Sequence, residues 1–180
     1  MSTARRIVFL GIMIALALAL HVAERALPLP VLPVPGVKLG LANIVTLTAI
    51  FILPLPEITL LVVGRTILAT AFGGGLSSFL FSLTGGLFSM LVMYLLVHRA
   101  SNWVSLPAIS VVGAVFHNLG QLLVAALIVR TLGIFLYLPL LLLSAGLTGL
   151  AVGFTTLVLL RSLLKTKMVT IPEHLRPLLA

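Results

Sequence analysis

Of 180 residues, 61% are hydrophobic and only 8% charged, with a mean hydropathy of +1.34; a soluble domain carries about 25% charged residues to cover its surface, so a soluble globular fold is excluded. The length accommodates about six helical crossings of about 20 residues each, with no room for an ATPase or a soluble catalytic domain. Eleven Lys and Arg stand against three Glu and no Asp, a net charge of +8. These cations are scattered between apolar runs, which points to membrane topology and an anionic ligand and not to nucleic acid; with no Cys, disulfides, thiolate metal sites and a Cys nucleophile are excluded.

The first apolar run, residues 7–27, follows Arg5 and Arg6. It imitates a signal peptide, but further apolar spans follow and it carries polar residues of its own. Pro28, Pro30, Pro33 and Pro35 then deny regular helix to residues 28–36. A second span, 39–53, is short for a full crossing; Pro54 and Pro56 end it and open a third, 57–72. Gly73, Gly74 and Gly75 make a turn into a fourth span, 77–97. The fifth and sixth cover 107–130 and 135–164, and residues 166–180 form a polar, Pro-containing tail. The expected fold is an all-α integral membrane protein: six transmembrane helices in one domain, residues 1–165, and a cytoplasmic tail.

Basic residues beside the spans set the orientation. With the N-terminus inside, Arg5, Arg6, Arg99, Arg161, Lys165, Lys167 and Arg176 lie on the inner side, and Arg25, Lys38 and Arg130 on the outer. Both termini are therefore expected in the cytoplasm, in a bacterial cytoplasmic membrane.

Lipid satisfies no polar group, so polar side chains inside spans need protein partners or a cavity. Counted along the helical rise, His21, Glu24 and Arg25 fall in the outer third of span one and Lys38 and Asn43 in the outer half of span two. Arg65 sits near the middle of span three, Ser77, Ser78 and Ser82 in the outer half of span four, and His117, Asn118 and Gln121 from the middle to the outer half of span five. Five spans thus bring polar groups to one depth. The expected site is an outward-facing pocket of Glu24, Lys38, Asn43, Arg65, Ser82, His117, Asn118 and Gln121. Its cations outnumber its carboxylate and favour an anionic or amphipathic small molecule. Simpler roles are open for some of these: Arg25 and Lys38 can snorkel to headgroups, Glu24 can pair with Arg65 or Lys38, and the amides can join helices.

Small residues make a second pattern. Gly11, Ala15, Ala19 and Ala23 recur every four positions on span one, a face that lets another helix approach closely. Ser78, Ser82, Gly85, Gly86 and Ser89 do the same on span four, and Gly146, Gly149 and Gly153 on span six.

Three segments carry a resemblance: residues 35–44 (PGVKLGLANI), 82–86 (SLTGG) and 113–121 (GAVFHNLGQ). Together they resemble the bacterial membrane family labelled heptaprenyl diphosphate synthase component I, also called the Gx transporter family, over about residues 5–165. That family is similar to the substrate-binding S components of energy-coupling factor (ECF) importers. The resemblance implies six helices, an external ligand site, and a face on the first helix for the transmembrane coupling subunit, which works with ATPases; Ala15, Ala19 and Ala23 match that face. The synthase label does not imply catalysis. Trans-prenyltransferases use Asp-rich motifs to hold magnesium, and here there is no Asp, while Glu24, Glu57 and Glu173 are far apart. Nor is there a Walker A sequence. The expected function is a non-enzymatic, cofactor-free binding subunit of an importer. The alternatives are a non-catalytic accessory protein of isoprenoid or quinone synthesis and, with less to support it, an intramembrane enzyme using His117 and Glu24 as acid and base.

Overall fold

A computed structural model describes residues 3–26, 40–72, 75–166 and 169–179. Lys38, the Pro-rich stretch 28–36, Lys167 and the Arg25 side chain lie outside the described residues. The described residues form six α-helices: α1 (Thr3–Ala26), α2 (Leu41–Ile50), α3 (Leu55–Ala71), α4 (Leu76–Arg99), α5 (Leu106–Val129) and α6 (Leu138–Lys165). Two 3-10 segments, Leu132–Tyr137 and Glu173–Leu179, complete them.

Local chemistry explains the boundaries. Proline sits in the first turn of α3, α5 and α6, where its missing N–H costs nothing. The Ser105 side chain accepts the Ala108 N–H at 3.4 Å to cap α5, and His98 and Arg99 close α4 at the negative end of its dipole. Ends and starts fall within four residues of the expected spans, because Pro and Gly punctuate the apolar runs.

Among the described residues, four helical stretches are long and apolar enough to cross a bilayer: Ala4–Glu24, Leu76–Arg99, Leu106–Val129 and Leu132–Lys165. Large apolar side chains cover their outer faces, with Ile12, Leu127, Leu147 and Val158 each at least 60% exposed. So much exposed apolar surface fits lipid and not water. The expectation of six spans is met only in part. The 17 residues of α3 include Glu57 and Arg65, and the 10 residues of α2 rise about 15 Å, half of a hydrocarbon core of about 30 Å. Seven of those ten residues are buried, and α2 touches α1, α3, α4 and α6. It is a half-helix enclosed by the bundle, where its apolar side chains meet protein in place of lipid.

The core occupies one end of the bundle. It takes Leu10 and Met13 from early α1, Ile50 from late α2, Ile58 and Leu61 from early α3, Met93 and Val97 from late α4, Ile109 from early α5 and Leu160 from late α6. The segment expected to be a polar tail is part of it. Ile171, Leu175, Leu178 and Leu179 are buried in the same cluster, Arg161 Nε donates to the Leu179 carbonyl at 2.8 Å, and the His174 ring lies 6.2 Å from that of His98, itself stacked on Tyr94. Its polar residues face out while its leucines close the end of the bundle. Beside it, Arg6 of α1 and Glu57 of α3 form a salt bridge.

Candidate functional site

At the opposite end of α2, Gly40 enters the helix with φ +75°, a left-handed conformation that Gly adopts without penalty. This turn aims the first N–H groups of α2 at α1. Glu24 accepts the Gly40 N–H at 2.7 Å through Oε1 and the Leu41 N–H at 3.1 Å through Oε2. A helix starting inside a bundle leaves orphan donors and a positive dipole end, and Glu24, itself buried, satisfies both from the neighbouring helix. Pairing of Glu24 with Arg65, one of the expectations, does not occur within ion-pair distance; the carboxylate is engaged by backbone donors. Its other expected partner, Lys38, lies outside the described residues.

Arg65, on α3, is 3% exposed. Its Nη2 donates to Asn43 Oδ1 of α2 at 3.5 Å, the limit of a hydrogen bond, and its Nε has no partner. A guanidinium carries five donors, so most of its capacity is unused. Gly86 of α4 makes the space: a Cβ there would stand 3.2 Å from Arg65 Nη2 and 3.0 Å from Val62 Cγ1.

These groups enclose a pocket with about 270 Å³ of empty volume lined by His21, Glu24, Gly40, Ala42, Asn43, Arg65, Ser82 and His117. Five of the eight expected site residues therefore meet, contributed by α1 to α5. A second cleft of about 420 Å³ adjoins it, sharing Gly40, Asn43 and His117. It runs between α2, α4, α5 and α6, and Asn118, Ser89, Ser110 and Thr148 are in its wall.

The remaining expected residues divide. Asn118 Nδ2 donates to the Leu141 carbonyl of α6 at 2.9 Å, so this amide ties α5 to α6 as well as lining the second cleft. Gln121 Nε2 is 3.2 Å from His117 Nε2 one turn away and lines neither cleft; it sets the His117 ring from behind. Lys38 is not described. Sequence reading gave His21 little weight and missed Gly40, Gly86, Ser89, Ser110 and Thr148. The Gly-rich motifs were a usable signal for the glycines; hydroxyl residues are too common in apolar helices to single out by pattern.

Of the small faces, that on α4 from Ser82 to Ser89 and the Gly149 and Gly153 positions of α6 pack inside the bundle, whereas a Cβ on Gly146 would meet nothing within 4 Å. A Cβ on Gly149 would stand 2.5 Å from Val111 Cα, on Gly153 2.5 Å from Pro107 Cα, and on Gly120 3.0 Å from Gly85 Cα. The α1 face differs: Gly11, Ala15, Ala19 and Ala23 are all exposed, and nothing lies within 4 Å of a Cβ on Gly11.

No curated protein and no solved structure matches the chain significantly. The model of the family described as heptaprenyl diphosphate synthase component I matches residues 13–159, a span that holds both clefts and every lining residue named above, and the chain belongs to that family.

Proposed function

We propose that this protein is a membrane-embedded binding subunit of an importer. It captures an anionic small molecule at Arg65 and hands it to a separate ATP-driven module, in the manner of an ECF S component. The observation that carries the reading is Arg65: a buried guanidinium with one 3.5 Å contact and no ion pair among the described residues. An Arg at the middle of a membrane helix costs about 2.5–3.5 kcal/mol on insertion scales, and among the described residues, beyond that contact, only the longer-range attraction of the buried Glu24 carboxylate, already engaged by backbone donors, offsets it. A bound carboxylate or phosphate would recover more, through paired N–H donors. The exposed small face of α1 supports a helical partner, such as the transmembrane coupling subunit, packing against it. Six crossings with both termini in the cytoplasm of a bacterium complete this reading.

The test is binding by the full chain in nanodiscs, using inorganic phosphate, small carboxylates and a panel of water-soluble vitamins. At least one anion should bind, and Arg65→Met should abolish it. Binding of no anion, or undiminished binding by Arg65→Met, rejects the proposal. The family's description favours a second reading, a non-catalytic partner of a soluble prenyltransferase that holds a prenyl phosphate. Mass spectrometry of lipids co-purified with the protein separates the two: a polyprenyl species favours the second, a water-soluble acid the first.

A further inference from the structure

The buried threonines Thr46, Thr48, Thr66 and Thr156 each donate to the carbonyl four residues back in their own helix, at 2.7–3.3 Å. Ser89 has no such bond. It is 1% exposed, its Oγ has no hydrogen-bond partner, and it stands in the wall of the larger cleft. Polar groups share its cleft with the apolar Met93, Ala114 and Val152: Ser110, Asn118 and Thr148 line it, and it meets the Arg65 pocket at Asn43 and His117. An unpaired hydroxyl in a dry apolar cavity is costly, whereas in a ligand site it is a donor held ready.

The geometry points to a two-part ligand: an anionic head on Arg65 and Asn43, and a neutral, hydrogen-bonding body carrying hydroxyl or amide groups, seated against Ser89 in the second cleft. This rests on the anion-binding reading above and narrows it. A prenyl or alkyl body would leave Ser89 unpaired and set hydrocarbon against an amide and three hydroxyl side chains.

The experiment uses the full chain in nanodiscs and probes matched in their anionic group: gluconate against octanoate, and glycerol phosphate against farnesyl phosphate, with inorganic phosphate as the bare anion. The polar member of each pair should bind more tightly than its apolar counterpart. Ser89→Ala should weaken the polar member about tenfold, leave inorganic phosphate within about twofold, and leave the melting temperature unchanged, because no protein hydrogen bond is lost. Ser110→Ala provides the same comparison from α5 should Ser89→Ala fail to fold. Octanoate or farnesyl phosphate binding as tightly as its partner, with Ser89→Ala and Ser110→Ala indifferent, overturns the two-part ligand while loss of binding in Arg65→Met keeps the anion site. Binding that survives in Arg65→Met, or silence from every probe, overturns both.

Discussion

At the scale of single residues, Arg65 and Glu24 carry opposite expectations although both are buried charges beside one pocket. Arg65 has one weak hydrogen bond and a longer-range attraction to Glu24, so replacing it by Met, which fills similar space, removes a desolvation cost against a smaller electrostatic loss. We expect the melting temperature of Arg65→Met to stay level or rise, by the equivalent of up to about 2.5 kcal/mol; a fall would show the guanidinium to be structural. Glu24 holds two backbone N–H groups that no other described residue satisfies. Glu24→Ala should destabilise by about 2–3 kcal/mol, as expected for charged hydrogen bonds lost in a buried setting, and Glu24→Gln, with one acceptor oxygen, by less; thermal melts in one detergent check both. Sequence reading places these two residues in one depth range and leaves open a pairing of Glu24 with Arg65 or Lys38; it does not include backbone donors among the partners of the carboxylate. The backbone donors of α2 become available only because α2 begins inside the bundle, and a side-chain inventory does not contain them.

At the scale of helices, two glycines three positions apart on α6 test the packing. Gly149 meets the backbone of Val111, which cannot move aside, while a Cβ on Gly146 meets nothing within 4 Å. Gly149→Ala should cost about 1–3 kcal/mol, and Gly146→Ala should be neutral or stabilising, since Ala is the better helix former; melting temperatures that move together would reject this contact. On α1 the test is selective. Ala19 is exposed, so Ala19→Leu should leave folding and anion binding intact and abolish co-purification with a membrane partner; a retained complex would remove the α1 face from consideration. The helices themselves were legible because apolar runs and Pro–Gly punctuation are one-dimensional signals. Which small face packs inward was not. Gly149 and Gly11 sit in similar patterns, and only the arrangement of neighbouring helices distinguishes them.

Across the whole molecule, apolar packing and polar lining occupy opposite ends, and this polarity follows the chain's alternation of direction. Early residues of odd-numbered helices and late residues of even-numbered ones build the core, while late α1, the start of α2 and the first half of α4 supply the pocket. The C-terminal segment reinforces the closed end: Leu175 is 1% exposed there, and its loss was not legible as a cost because a Pro-containing stretch with Glu173, His174 and Arg176 reads as a solvated tail. Under the proposed function, a site sealed at one end by packed leucines receives its ligand from the other, the end that the proposed orientation places outside. The absence of Cys makes that assignment directly measurable. Asn102, just after α4, and Glu173, whose segment touches α4 near His98, are both exposed and must lie on one side; Leu132, at the far end of the 24-residue α5, is 80% exposed and lies on the other. In intact cells, Leu132→Cys should react with a membrane-impermeant maleimide, and Asn102→Cys and Glu173→Cys should react only after the membrane is opened. The reverse pattern would place the sealed end outside and require the ligand to enter from the cytoplasm, which an importer subunit cannot accommodate.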